Sequence, residues 1–162
     1  IALVIGCGVA AFVMALSSMS SLQDTRSAYY SAQRFGDVFA RLKRAPNALA
    51  VRIREIPGVL RVQTRVEIEI TLDMPDMEEP ASGRRVSIPE RPGAELNAVY
   101  LRRGRWIEPQ RTGEVIVSEA FARAHRLQPG DGFRAVVNGN RVELRVVGLG
   151  MSPEYIYEVR PG

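Results

Sequence analysis

IALVIGCGVAAFVMALSSMSSL, Ile1–Leu22, carries no charged side chain, and its reading decides how the rest of the chain is arranged. A bilayer core about 30 Å thick is crossed by roughly 20 apolar residues of helix. This stretch has that length, diluted in its last third by Ser17, Ser18, Ser20 and Ser21, and the first carboxylate is Asp24. Three structures compete for it. A transmembrane helix satisfies its backbone groups internally, where no water is available. A secretory signal needs a charged region before its apolar core; the sequence opens on Ile1, so that region would lie upstream. The third is a dinucleotide loop, with Ile1–Ile5 as a strand and Gly6-Cys7-Gly8-Val9-Ala10-Ala11 fitting G-x-G-x-x-A. That fingerprint also requires an acidic residue closing a second strand about 20 residues on. Gln23–Ser31 reads as polar helix, and Asp37 opens an apolar run instead of closing one. The expectation is therefore a transmembrane helix over residues 1–22, whose small residues suit close helix packing in lipid.

The other 140 residues are water-facing in character. The whole chain is 46% hydrophobic, and these 140 residues are enough for one ordinary domain beside the anchor. The net charge is +4, nearly all of it from arginine, since Lys43 is the sole lysine. The arginines are scattered among carboxylates, with no basic stripe interleaved with aromatics, so nucleic acid is not an expected partner. Cys7 is the single cysteine, so no internal disulfide forms and the redox compartment stays open.

Residues 23–34 (QDTRSAYYSAQR) read as a stalk that continues the anchor helix, with Tyr29 and Tyr30 placed for the lipid–water interface or the start of the domain. Asp37–Arg44 (DVFARLKR) alternates as a strand would. Pro46 suits a first helical turn, and Leu49, Ile53 and Ile56 fall on one helical face before Pro57-Gly58 stops it. The longest alternation follows: Val62, Thr64, Val66, Ile68, Ile70 and Leu72 against Gln63, Arg65, Glu67, Glu69 and Thr71. It predicts a half-buried strand in an antiparallel or edge position and a strand–helix–strand unit from Asp37 to Leu72.

Met74–Gly83 is expected as a solvated proline-rich loop, with weaker strands at Arg84–Ile88 and Ala98–Arg102 and another loop at Gly104–Gly113. Glu114–Ser118 is a short strand, Ser118 caps a helix over Glu119–Arg126, and Leu127–Gly132 is a turn. Asn138-Gly139 joins a hairpin whose inward residues are Phe133, Ala135 and Val137, then Val142, Leu144 and Val146. The fold class is α+β: an N-terminal transmembrane helix followed by a mixed, mainly antiparallel domain over residues 35–162.

Sites for chemistry are sparse. A Walker A loop needs Gly before Lys, and Leu42 precedes Lys43, so no ATP site is expected in this chain. His125 is the only histidine and is expected on the surface; with Cys7 it makes no zinc site. No G-x-S-x-G elbow accompanies it. Asp73, Asp76, Glu78 and Glu79 form a loop cluster read as solvated. Hence no catalytic, cofactor-binding or metal-ligating residue is assigned, no cofactor is expected, and the chain is not expected to be an enzyme.

The order of motifs is informative. Glu114–Ala122, then Leu127-Gln-Pro-Gly-Asp131, then Val137-Asn-Gly139, then Val146-Val-Gly148 resembles the extracytoplasmic domain of FtsX/MacB-type ABC transporter permeases. Ile56-Pro-Gly-Val59 before a long alternating strand and Ser152-Pro-Glu-Tyr-Ile-Tyr157 at the end fit the same family, as does a helix leading directly into the domain. The resemblance covers nearly the whole chain. It implies four transmembrane helices with the outer domain between the first and second, dimerisation with the same or another permease, and a partner ABC ATPase. A periplasmic adaptor and membrane lipid are further partners it allows. It implies residence in the cell (inner) membrane, with the bulk of the chain extracytoplasmic, and coupling of ATP-driven helix motion to export or extraction of a substrate. The chain departs from the family in stopping at Gly162 without a second apolar segment, so a fragment is expected, ending in or near the end of the outer domain. The alternative is a single-pass anchored adaptor or binding module that transports nothing.

Overall fold

The computed structural model describes residues 2–74, 79–93 and 96–155. Helix α1 spans Ala2–Ala32 without interruption. It holds no proline, and Thr25 Oγ1 donates back to Ser21 O at 2.7 Å, so the polar stretch continues the apolar one in a single rod. At 1.5 Å per residue it is about 46 Å long. No residue of its apolar window is covered by the rest of the chain. Among the described residues it is the one helix long and apolar enough to cross a membrane.

The remaining elements are α2 (Ala48–Arg54), β1 (Glu67–Asp73), β2 (Ala81–Val86), β3 (Tyr100–Gly104), β4 (Glu114–Ser118), α3 (Glu119–Ala124), β5 (Gly132–Val137) and β6 (Asn140–Met151). The strands make one six-stranded sheet with the path β2-β1-β5-β6-β3, and β4 pairs parallel to β6. Every other pairing is antiparallel. This is an α+β fold with a long apolar N-terminal helix and a mainly antiparallel sheet.

Strand β6 organises the sheet because its twelve residues serve three neighbours. Arg145 pairs with Gly132 of β5 and Glu114 of β4, while Gly148 pairs with Gly104 of β3 and Ile116 of β4. A strand has two edges, so β5 and β3 share one edge in succession and β4 takes the other. An irregularity between Val115 and Ile116 marks the change, leaving Val147 as the extra residue on β6. Val146 to Gly150 are buried without alternation as a result.

The core joins Ile70, Leu72 and Met74 with Phe133, Ala135, Leu144, Val146, Leu149 and Ala122 of α3. Ser118 Oγ accepts from Phe121 N at 3.2 Å, capping α3. Phe121 meets Phe133 edge-on at 6.0 Å. Asn138 and Gly139 both have positive φ, as a two-residue hairpin turn between β5 and β6 requires.

Three sequence expectations are corrected. Asp37–Arg44 forms no strand: no neighbour pairs with it, and Val38 is 87% exposed. The strand–helix–strand unit is thus absent, although α2 stands near its expected place. The long alternation is regular strand only from Glu67. Val66 and Ser87 still pair, through Ser87 N to Val66 O (2.9 Å) and Val66 N to Ser87 Oγ (2.8 Å). The partner chain then reaches Pro89, which has no N–H to continue a ladder. Met74–Gly83 is less solvated than expected, because Met74 is buried and Ala81–Gly83 already belongs to β2.

Candidate functional site

The features with functional reach lie where α1 meets the sheet. Arg34 takes a left-handed conformation (φ 51°), Arg34 N donates to Ser31 O and Phe35 N donates to Tyr30 O. This pair of bonds is a Schellman motif, usually built on glycine. An arginine there costs about 1 kcal/mol of backbone strain. The bend turns the next carbonyls toward the chain that precedes β3. Asn97 N donates to Arg34 O at 3.0 Å, and Ala98 N to Gln33 O at 2.9 Å. Gly36 N donates to Asn97 Oδ1 at 2.9 Å, and an Arg34 guanidinium N–H donates to Gly93 O at 2.7 Å. Asn97 is itself left-handed (φ 52°), which asparagine tolerates better than most residues. Tyr30 stacks on Phe35 at 4.6 Å, and Phe35 leans on Phe39. Helix α1 is therefore bonded to the lead-in of β3, about 60 residues away in sequence, while the segment directly after it joins no strand until Glu67.

Two ion clusters brace the sheet. Arg65 grips Glu154 with both terminal nitrogens and lies 3.0 Å from Glu67. Tyr155 donates its hydroxyl to Glu67 at 3.1 Å, under the Arg84 guanidinium. The Glu154 hydrogen bond raises the Arg65 pKa above its ordinary value, and burial raises that of Tyr155. The cluster pins the chain after β6 to the start of β1. It also explains why Arg65 and Glu67 are half-buried while Val66 is 64% exposed.

The second cluster closes the loop between β3 and β4. Arg105 binds Glu114 at 2.5 and 2.9 Å, Glu108 N donates to Glu114 Oε2 at 2.9 Å, and Arg111 approaches both carboxylates. The Glu114 side chain is only 5% exposed. The Arg105 hydrogen bond, helped by the Glu108 amide, lowers its pKa from 4.5 to about 2. Trp106 Nε1 donates to Pro89 O at 2.9 Å, tying this loop to the β2–β3 connection.

His125 is the C-cap of α3, half-buried with its ring 4.6 Å from Phe121, more enclosed than the surface position expected of it. Asp73 closes β1, opposite Arg134 in register, while Asp76 and Glu78 lie outside the described residues. Among the described residues no group of three or more His, Cys, Asp or Glu stands together as metal ligands. An open depression of about 370 Å³ is lined by Thr112, Gly113, Gly130, Gly132, Glu143 and Arg145. Its ionisable groups are Glu143 and Arg145.

Sequence reading did not find Arg34, Asn97 or Glu154. Each acts through a partner about 60 or more residues away, and no local spacing marks such a pair. No family model matches this chain, and neither a curated protein nor a solved structure matches it.

Proposed function

We propose that this chain is the first-helix and outer-domain part of an FtsX/MacB-type ABC transporter permease. In that role α1 is anchored in the membrane, the sheet stands on the extracytoplasmic side, and a partner ATPase drives the helix. The single observation that carries the proposal is the α1–β3 junction, where one unbroken helix is bonded by its C-terminal carbonyls to the sheet's approach. A rod so attached transmits displacement and tilt, the output such a permease requires. The motif order from Glu114 to Gly148 supports the same reading.

The test is purification of the full-length protein from its own membranes. Co-purification of an ATPase is the expected result, and its absence would overturn the permease reading. In that complex Ala32→Pro, which breaks the helix next to the junction, should keep ATP hydrolysis and lose its coupling to outer-domain motion. Unchanged coupling would remove the mechanical role of α1.

One observation favours a second reading, a single-pass adaptor with its domain in the cytoplasm. The flank after the apolar run carries Arg26, Arg34, Arg41, Lys43 and Arg44 against Asp24 and Asp37. For short loops an excess of cations keeps that side cytoplasmic. Large domains translocate largely regardless of such charge, so the permease reading stands ahead of it.

A further inference from the structure

The segment from Asp37 to Arg61 leaves most of its large apolar side chains exposed, with Leu49, Ile53 and Val59 half-buried. Val38 is 87% and Leu60 89% exposed, and Phe39, Leu42, Val51 and Ile56 are each at least half exposed. The same 25 residues hold six cations, Arg41, Lys43, Arg44, Arg52, Arg54 and Arg61, against Asp37 and Glu55. Their net +4 equals that of the entire chain. No strand pairs with this segment, and α2 within it has no buried residue. Surface of this kind, large apolar groups among cations, fits a lipid headgroup layer better than water or an acidic protein.

Its position agrees. The candidate span runs from Val4 to Ala32, 29 residues, or about 43 Å of helix, close to a bilayer's thickness with headgroups included. Tyr29 and Tyr30 sit near its end, where aromatic side chains favour the interface. The contacts from Tyr30 through Phe35 to Phe39 carry that aromatic layer directly into the exposed segment.

We infer that residues 37–61 form a second membrane contact, lying on an anionic lipid surface beside the point where α1 leaves the bilayer. This contact rests on the membrane span of α1 and not on transport, and it serves either orientation of the chain. Leu42, Leu60 and Val38 enter the headgroup boundary while Arg44, Arg52 and Arg54 meet lipid phosphates. The domain is thereby held by two points, a rod and a pad, so tilting of α1 must lift or slide the pad.

The test uses the full-length protein in a Cys7→Ser background, reconstituted in vesicles of phosphatidylcholine alone or with phosphatidylglycerol. Environment-sensitive probes are placed at Leu42→Cys, Leu60→Cys, Phe12→Cys and Ser82→Cys, and quenching by brominated lipid is read. The expected result is quenching at 12 in both vesicles, at 42 and 60 only with phosphatidylglycerol, and none at 82. Substituting Gln for Arg41, Lys43, Arg44, Arg52 and Arg54, all exposed, should abolish quenching at 42 and 60 and leave that at 12. High salt, which shortens the screening length to about 3 Å at 1 M, should do the same. Quenching at 12 without quenching at 42 or 60 overturns the pad alone. Shielded but unquenched probes at 42 and 60 mean a protein cover and also overturn it. Equal quenching in both vesicles overturns the anionic preference. No quenching at 12 removes the span, and the pad with it.

Discussion

Gly104 and Glu114 are the residues whose chemistry the fold most constrains. Gly104 has φ +81°, and a Cβ there would lie 2.3 Å from Val147 O. The clash is with backbone at the point where β3 takes over the edge of β6 from β5, so no side chain can yield. Gly104→Ala should destabilise the domain by at least about 2 kcal/mol, read as a lower midpoint in urea unfolding. Glu114 gives a pH signature. Its folded-state pKa lies near 2, below the ordinary 4.5, so its stabilisation is fully present above about pH 4.5 and is lost as the pH falls through 2. Glu114→Gln should lower the melting temperature at pH 7, and the two melting curves should converge as the pH approaches 2. A constant difference between wild type and variant across that range would contradict the Arg105–Glu114 assignment. At this scale the sequence was partly legible. Ser118 announced its cap and Asn138-Gly139 its turn, because both act on neighbours two or three residues away. Glu114 looked like an ordinary polar strand start, because the guanidinium that defines it arrives from the far end of a loop.

Among the elements, the junction of α1 with the approach to β3 sets how the long helix is carried. Four hydrogen bonds make it, Ala98 N to Gln33 O, Asn97 N to Arg34 O, Gly36 N to Asn97 Oδ1 and the Arg34 guanidinium to Gly93 O, each worth about 1 kcal/mol. Asn97→Gly keeps the left-handed backbone and removes the acceptor for Gly36 N. The Gly36 amide should then exchange with solvent up to roughly tenfold faster, while amides of β5 and β6 stay protected. Equal acceleration throughout the sheet would mean that Asn97 supports the fold and not the junction. Elements with a local signal were read correctly: α1 from its uncharged run, β4 and α3 from strand and cap, and β5–β6 from alternation around the turn. Those that depend on a neighbour were not. Asp37–Arg44 has the alternation of a strand but no edge to join, and Val62–Val66 lost its ladder where Pro89 ended the partner's donors. Alternation reports which faces differ, not whether a partner is available.

For the whole molecule, orientation and coupling are the two questions. The permease reading places the sheet outside the cell. A membrane-impermeant maleimide should therefore label Ser82→Cys, in a Cys7→Ser background, on intact cells. Labelling only after lysis would favour the cytoplasmic adaptor. In the proposed coupling α1 and the sheet move as one body through the approach to β3, which a distance measurement can follow. Spin labels at Ser27→Cys on α1 and Thr71→Cys on β1, both exposed positions, are placed in the Cys7→Ser full-length protein in lipid nanodiscs, and their separation is measured by double electron–electron resonance. A single narrow distance distribution is expected, and it should broaden when Asn97→Gly is added. A distribution already as broad in the parent as in the variant would contradict rigid attachment of α1 to the sheet.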